Sequence, residues 1–349
     1  MRVVVVGATG NVGTSLVQAL AAEPEVTSVL GLARRLPGWH PDGVEWAAAD
    51  IASDDIAAHL RGADAVVHLA WLIQPTHDPV LTWRVNVLGG IRVFRAAVEA
   101  GVRTLVYASS VGAYSPGPKD TEVDESWPTH GWPTAGYTRE KAYMERVLDH
   151  LEVEQPQTRV VRIRPGFIFK REASTEQRRL FIGPLLPNRL VRAGLIPVVP
   201  RLPGLRFQVV HSLDAAAAFR QAVVRDVRGA FNLAADPPID ARELARLLGA
   251  RTVRLPLPVV RGAVATTWQL RMHPAAPHLF DAMLRLPIMS TARARTELGW
   301  QPRHSATDTL AEFLAGLRDG AGMDTPPLAP ATSGPLRAGE VATGAGTRP

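Results

Sequence analysis

Tyr137-Thr138-Arg139-Glu140-Lys141 sets a phenol and an ammonium four residues apart, hence on one face of a helix. A free tyrosine titrates at roughly pH 10 and is a poor base at neutrality, but a nearby cation can lower that value by about one to three units. The pair suits moving a proton to or from a hydroxyl while a hydride moves at the adjoining carbon. Alone, the spacing is weak, because exposed helix pairs produce it often. Two features strengthen it. The chain has only three lysines, Lys119, Lys141 and Lys170, and Ser109-Ser110 follows an apolar run that reads as a strand, where a crevice hydroxyl belongs.

A second constellation lies at the start. Gly7-Ala8-Thr9-Gly10-Asn11-Val12-Gly13 follows a valine run and opens a helical pattern. In that context Gly7 permits a sharp turn, Gly10 lets the backbone approach a pyrophosphate, and Gly13 lets helix and strand pack closely. The helix N-terminus then offers free N–H groups and partial positive charge to the anion. At the end of the second strand the chain reads Leu32-Ala33-Arg34-Arg35, without the acid that would bond a ribose and repel a 2′-phosphate. The expectation is therefore NADP(H), with Arg34 on the phosphate and NAD(H) possible. The alternative is that both arginines face water.

Around these motifs, short apolar runs alternate with helical segments, the pattern of parallel strands joined by crossover helices. Strands are predicted at residues 3–6, 28–32, 44–48, 65–69, 104–108 and 159–163, with helices at 12–22, 56–60, 86–100 and 136–151. This is an α/β chain with a Rossmann-type doubly wound parallel sheet and a smaller C-terminal substrate lobe. The division expected is a dinucleotide-binding domain over residues 1–165, rejoined by about 207–233, with a lobe built from 166–206 and 234–318. From 320 to 349 the chain is Gly, Pro, Ala, Ser and Thr without period, and is expected to be a disordered tail.

Composition excludes several alternatives. With no cysteine there is no disulfide, thiol nucleophile or Cys-ligated zinc, and the ten histidines form no metal-ligand spacing. The net charge of +6 comes from scattered arginines rather than a basic block interleaved with aromatics, so no nucleic-acid partner is expected. The chain opens directly on a strand pattern with no leader, and its best apolar run, residues 255–268, is broken by Pro256, Pro258 and Arg261. A cytoplasmic protein without membrane contact is expected.

These motifs together resemble the extended short-chain dehydrogenases/reductases, the group described as the NAD-dependent epimerase/dehydratase family. Further residues carry the resemblance: Asp50-Ile51, His68-Leu69-Ala70, Asn86-Val87-Leu88-Gly89, Val106-Tyr107-Ala108-Ser109-Ser110, Arg164-Pro165-Gly166, His211-Ser212-Leu213-Asp214 and Leu298-Gly299-Trp300. It covers residues 1–317. The resemblance implies that Gly7, Thr9, Gly10, Asn11, Val12 and Gly13 hold the cofactor phosphates, Asp50 and Ile51 border the adenine, and Leu69 and Ala70 line the cofactor. Ser110 would hold the substrate oxygen, ahead of Ser109. Tyr137 would be the acid/base, and Lys141 would lower its pKa and bond the nicotinamide ribose. Pro165 and Phe167 would flank the nicotinamide, while Trp71 and Phe167 would add apolar surface to a small-molecule pocket. His211, Asp214 and the Leu298–Trp300 turn look structural. A homodimer through the helices beginning near Asn86 and Gly136 is also implied.

The chain departs from the sugar-nucleotide members in two places. Arg164-Pro165-Gly166-Phe167-Ile168-Phe169 lacks their asparagine, and Arg206 is one residue out of register for a diphosphate arginine. Lys170, Arg171, Arg178 and Arg179 could instead meet an anion from a lid loop, or simply be solvated. The main expectation is an oxidoreductase interconverting a ketone and a secondary alcohol. One alternative is a sugar-nucleotide epimerase or dehydratase with tightly held cofactor. Another is a non-catalytic dinucleotide sensor or assembly protein on the same fold.

Overall fold

A run of four valines at the start of a chain must be covered on both faces, and parallel sheets supply that cover. In the computed structural model, which describes residues 1–183 and 196–330, Val3 to Val6 are buried between parallel neighbours on both edges. Seven strands form the sheet, in the order Gly229–Leu233, Arg159–Pro165, Thr104–Ala108, Ala65–His68, Arg2–Val6, Ser28–Ala33, Val44–Ala48. The strand order reverses beside Arg2–Val6, so a crevice opens at the carboxyl ends of Arg2–Val6 and Ala65–His68.

Each face has its own core. On one, helices Asn11–Ala21 and Ser212–Val224 pack together through Leu16, Leu20, Phe219 and Val223. On the other, Gly89–Glu99 and Gly136–Glu154 bury Phe94, Met144 and Leu148. The helix expected from residue 86 in fact runs on from Pro79–Trp83 through a π-helical stretch, Arg84–Leu88. That wide stretch has a use, since it contains Asn86, whose amide reaches both Leu72 and Glu140.

One expectation about the sheet needs correction. Of the elements thought to rejoin it after residue 207, Gly229–Leu233 does so as the edge strand. Arg206–His211 does not, because it pairs with Ala235–Asp240 and Phe167–Phe169 in a separate three-stranded sheet. Helix Ala306–Asp319 covers that sheet through Phe313 and Leu317, with the Phe313 ring 4.5 Å from Phe169.

The expected tail also begins differently. Residues 321–330 are folded against the body: Leu328 is fully buried, Thr325 donates to the Thr9 carbonyl at 2.9 Å, and the Trp39 amide donates to the Asp324 carbonyl. Composition hid this because the partners lie some three hundred residues away in sequence. Residues 331–349 of the expected tail lie outside the described residues.

Helix Asn11–Ala21 approaches the first strand closely enough that a Cβ on Gly13 would stand 2.4 Å from the Gly7 carbonyl oxygen. Backbone cannot yield cheaply. Gly13→Ala is therefore expected to cost ~1–3 kcal/mol, read as a lowered urea midpoint with an unchanged slope.

Candidate active site

The residues expected to hold the dinucleotide, move the proton and border the substrate line one cavity of about 660 Å³ at the strand ends. Gly7, Thr9, Gly10, Asn11, Val12 and Gly13 form one rim, with Arg34, Asp50 and Ile51 beside them. Leu69, Ala70 and Trp71 continue the wall, and Ser110, Tyr137, Lys141, Pro165 and Phe167 complete it.

The glycine loop is shaped by close approach. Gly7 has φ +90°, and a Cβ there would come within 2.6 Å of the Ala70 amide nitrogen, so only glycine lets the first and fourth strands end side by side. Gly10 is different: a Cβ would meet only the Gly7 carbonyl, at 3.7 Å, which leaves backbone exposed to the cavity. It precedes the 11-residue helix Asn11–Ala21, whose first turn has no side-chain cap. Free N–H groups and the positive end of the helix dipole therefore face the cavity, and the buried Asn11 Oδ1 has no partner among the described residues. Such a terminus suits a pyrophosphate.

At the other end Ser110 and Tyr137 converge. A Cβ on Gly112 would sit 2.8 Å from the Tyr137 ring and 3.3 Å from Ser110 Oγ, so the absence of a side chain there lets the two groups meet. Nothing in the local pattern marked Gly112 as a requirement. Ser110 also caps its turn by accepting from the Gly112 amide at 2.9 Å. Ser109 is committed elsewhere, donating to the Glu145 carboxylate, which leaves Ser110 as the cavity hydroxyl.

Lys141 is placed otherwise than expected. Its ammonium donates to the Ala108 carbonyl at 2.6 Å, lies 3.5 Å from the centre of the Trp71 ring, and stands 6.0 Å from that of Tyr137. Tyr137 reaches the cavity surface but is densely enclosed by protein. Burial pushes its phenol up, a hydrogen bond with Ser110 pulls it back, and the Glu140 charge raises it further. The expected lowering by Lys141 is absent from this arrangement, because the ammonium is held over indole and is itself pushed well down by burial.

Behind the site lies a buried charge cluster that sequence reasoning missed. Glu145, with a wholly inaccessible side chain, accepts from Arg164 Nε and Nη2, both at 2.9 Å, and from Arg162 at 3.1 Å. Arg164 also donates to the Tyr114 hydroxyl, which in turn donates to Asn232. The cluster ties the Tyr137 helix to Ser109 and to the strand that ends at Pro165. The arginines were visible in sequence, but their partner is 19 and 17 residues away and carries no local mark.

The basic lid reading does not survive. Lys170 is buried and donates to Thr14 and Ser15, and Arg171 pairs with Asp319. Arg178 donates to the Gly183 carbonyl, and Arg179 to those of Pro327 and Ala329. Lys170 thus bonds hydroxyls, Arg171 makes an exposed ion pair, and Arg178 and Arg179 bond backbone carbonyls. Pro326 and Pro327 thereby become part of the cavity wall. His211 caps the helix Ser212–Val224, and Asp214 holds His304 and the Trp300 indole, as structural roles require.

The model for the NAD dependent epimerase/dehydratase family matches residues 3–234. The chain belongs to that family. An uncharacterized protein of Mycobacterium tuberculosis is 27% identical to this epimerase/dehydratase family member over 326 residues, 93% of this chain but 31% of its own length. The chain thus spans about a third of the first curated relatives it matches. UDP-glucose 4-epimerase of Mycolicibacterium smegmatis is 27% identical over 335 residues, 91% of this chain and 99% of its own. Among solved structures, the UDP-glucose 4-epimerase of Thermus thermophilus in complex with NAD superposes with TM-score 0.67 at 22% identity, over 91% of this chain and 99% of that one. The DesIV dTDP-glucose 4,6-dehydratase of Streptomyces venezuelae, with NAD bound, gives 0.65 at 18%, over 91% and 97%. At such identities these structures speak to the fold. Among the described residues no helix is long and apolar enough to cross a membrane, and no group of His, Cys, Asp or Glu could hold a metal.

Burial alone would raise the Glu145 carboxyl, but Arg164 and Arg162 pull it down to about 2. A depressed carboxyl contributes stability above its unfolded value and loses it as pH falls toward the folded one. Glu145→Gln is accordingly expected to cost ~3–5 kcal/mol at neutral pH by leaving Arg164 and Arg162 buried without their counter-charge. In urea titrations the gap between wild type and variant should narrow from roughly pH 4.5 downward.

Proposed function

We propose that the chain holds a nicotinamide dinucleotide along the strand ends and interconverts a secondary alcohol and a carbonyl, with Tyr137 moving the proton. One observation carries the reading: the uncapped helix terminus and the Ser110–Tyr137 pair open into the same cavity, at opposite ends of one crevice. When bound, the dinucleotide would accept or supply the hydride at the reacting carbon. The Asn11–Gly13 amides would hold its pyrophosphate, Asp50 and Ile51 its adenine, and Pro165 and Phe167 would flank its nicotinamide.

Ser110 fixes the substrate oxygen next to Tyr137, so that oxidation can pass the hydroxyl proton to the phenolate, and reduction can return it. The raised phenol makes Tyr137 an acid first; as a base it needs a cation brought closer. Lys141 supplies one if it leaves the Trp71 face for the ribose, a move of a few ångströms.

The relatives named as UDP-glucose 4-epimerase and dTDP-glucose 4,6-dehydratase support an epimerase or dehydratase outcome, with the cofactor reduced and reoxidised within one turnover. They support it more than the net oxidoreduction expected from sequence. Net oxidoreduction stays as a second reading because the substrate side of the cavity is predominantly apolar. The sensor alternative has no use for the Ser110–Tyr137 pair. NAD is the dinucleotide bound in the structural neighbours; the preference for NADP(H) through exposed Arg34 is our own reading. A homodimer through helices Gly89–Glu99 and Gly136–Glu154 belongs to the same proposal, with Tyr143 and neighbouring Leu88 exposed there.

Tyr137→Phe should lower turnover by about 10²–10⁴-fold while dinucleotide affinity, measured by calorimetry, stays within a factor of two or so. Unchanged turnover would overturn the proton role. Arg34→Ala should shift the ratio of NADPH to NADH dissociation constants by roughly tenfold or more against NADPH, and an unchanged ratio would remove Arg34 from the site.

A further inference from the structure

Residues 321–330 lie beyond the 3–234 matched by the family model, yet they fold onto the dinucleotide rim. Thr325, almost wholly buried, donates to the Thr9 carbonyl of the glycine loop. The Asp324 carbonyl accepts from the Trp39 amide on the turn after the second strand, and the Asp324 carboxylate packs over Gly38, where a Cβ would find no room. The same segment also holds the lobe. Thr175 donates to the Ala321 carbonyl at 2.6 Å, and Arg179 to those of Pro327 and Ala329. Between these two sets of bonds, Pro326 and Pro327 line the cavity. One short segment thus bridges the glycine loop and the lobe along the edge of the crevice.

The bridge is built to keep its shape. The Met323 amide donates to the Leu328 carbonyl, the Leu328 and Ala329 amides donate to the Thr325 carbonyl, and the Leu328 side chain is fully buried. Gly322 lets the segment turn back on itself, since a Cβ there would stand 2.4 Å from the Leu328 carbonyl oxygen. Two consecutive prolines have fixed φ, so holding them in place costs little chain entropy. Nor does the bridge compete with a phosphate. It takes a carbonyl of the glycine loop, which an anion cannot use, and leaves the Asn11–Gly13 amides to the cavity. With the bridge in place the cavity still measures about 660 Å³, within the roughly 300–1,000 Å³ of ordinary ligand sites.

We propose that residues 321–330 are a clasp that retains the dinucleotide, lying across the pyrophosphate end of its site and slowing its release. The inference rests on the dinucleotide reading above and adds to it how long the cofactor stays. Release requires the bonds to Thr9 and Trp39, or those to Thr175 and Arg179, to open first. Such retention suits a turnover that reduces and reoxidises one cofactor in place, whereas net oxidoreduction must exchange the cofactor in every cycle.

The full-length chain is loaded with NADH and, separately, with NADPH, then mixed with excess oxidised dinucleotide, and nicotinamide fluorescence follows release. Thr325→Val, which loses the bond to Thr9, is expected to speed release about fivefold. Leu328→Ala, which unseats the segment from its buried anchor, should speed it by about tenfold or more and serves as the second variant. Because the chain has no cysteine, Leu328→Cys supplies a single thiol whose reaction with a chromogenic aryl disulfide reports opening of the clasp. Saturating NADH or NADPH should slow that reaction at least about fivefold. Release rates that ignore both substitutions would overturn the proposal, as would a dinucleotide that accelerates the thiol reaction, which is the mark of a segment displaced by the cofactor. The reading beneath fails separately: if neither NADH nor NADPH binds, the crevice is misassigned and the clasp falls with it, whereas binding with unaltered release overturns the clasp alone.

Discussion

The bidentate contact between Glu145 and Arg164 holds together everything that the site needs. The carboxylate sits on the helix that bears Tyr137 and Lys141, the guanidinium on the strand that delivers Pro165 and Phe167, and Ser109 brings in the loop that carries Ser110. A carboxylate and two guanidiniums out of water are costly apart, so each arrangement that separates them is strongly disfavoured. The pair thus sets the spacing between the Tyr137 face and the Pro165–Phe167 wall of the cavity. It contributes register more than net stability, because an apolar core of equal volume would pack as well without fixing any one alignment.

The opposite end of the crevice is set by steric closeness rather than charge. Gly7 and Gly13 are places where backbone meets backbone, at Ala70 and at Gly7 itself, and the helix that follows is left with bare amides. An uncapped terminus facing a cavity is unfavourable until an anion completes it. Thr325 and the two prolines after it close over this region, so the rim is shielded by a segment some three hundred residues away in sequence.

Between these ends, the ammonium and the phenol stand apart. Lys141, pushed down by burial, takes the indole face of Trp71, while burial pushes the Tyr137 phenol up. Each group calls for what a bound dinucleotide would bring about, a ribose for the ammonium and an ammonium for the phenol. In the proposed function, binding and activation would be one event, limiting proton transfer to the loaded protein.

The glycine loop, the Tyr137–Lys141 spacing and the alternation of strand and helix were legible in the sequence, because each is a local pattern whose geometry follows from a few consecutive residues. Six of the seven sheet strands, and the seventh as a returning element, follow from the same signal. What the sequence could not decide was pairing across distance. Whether Lys170, Arg178 and Arg179 were free cations or buried carbonyl and hydroxyl partners depended on groups elsewhere in the fold, as did the joining of Arg206–His211 to a second sheet and the docking of residues 321–330. Type and spacing state what a side chain is able to do; only the tertiary structure, by burying it beside one neighbour and not another, selects which of those capacities remains.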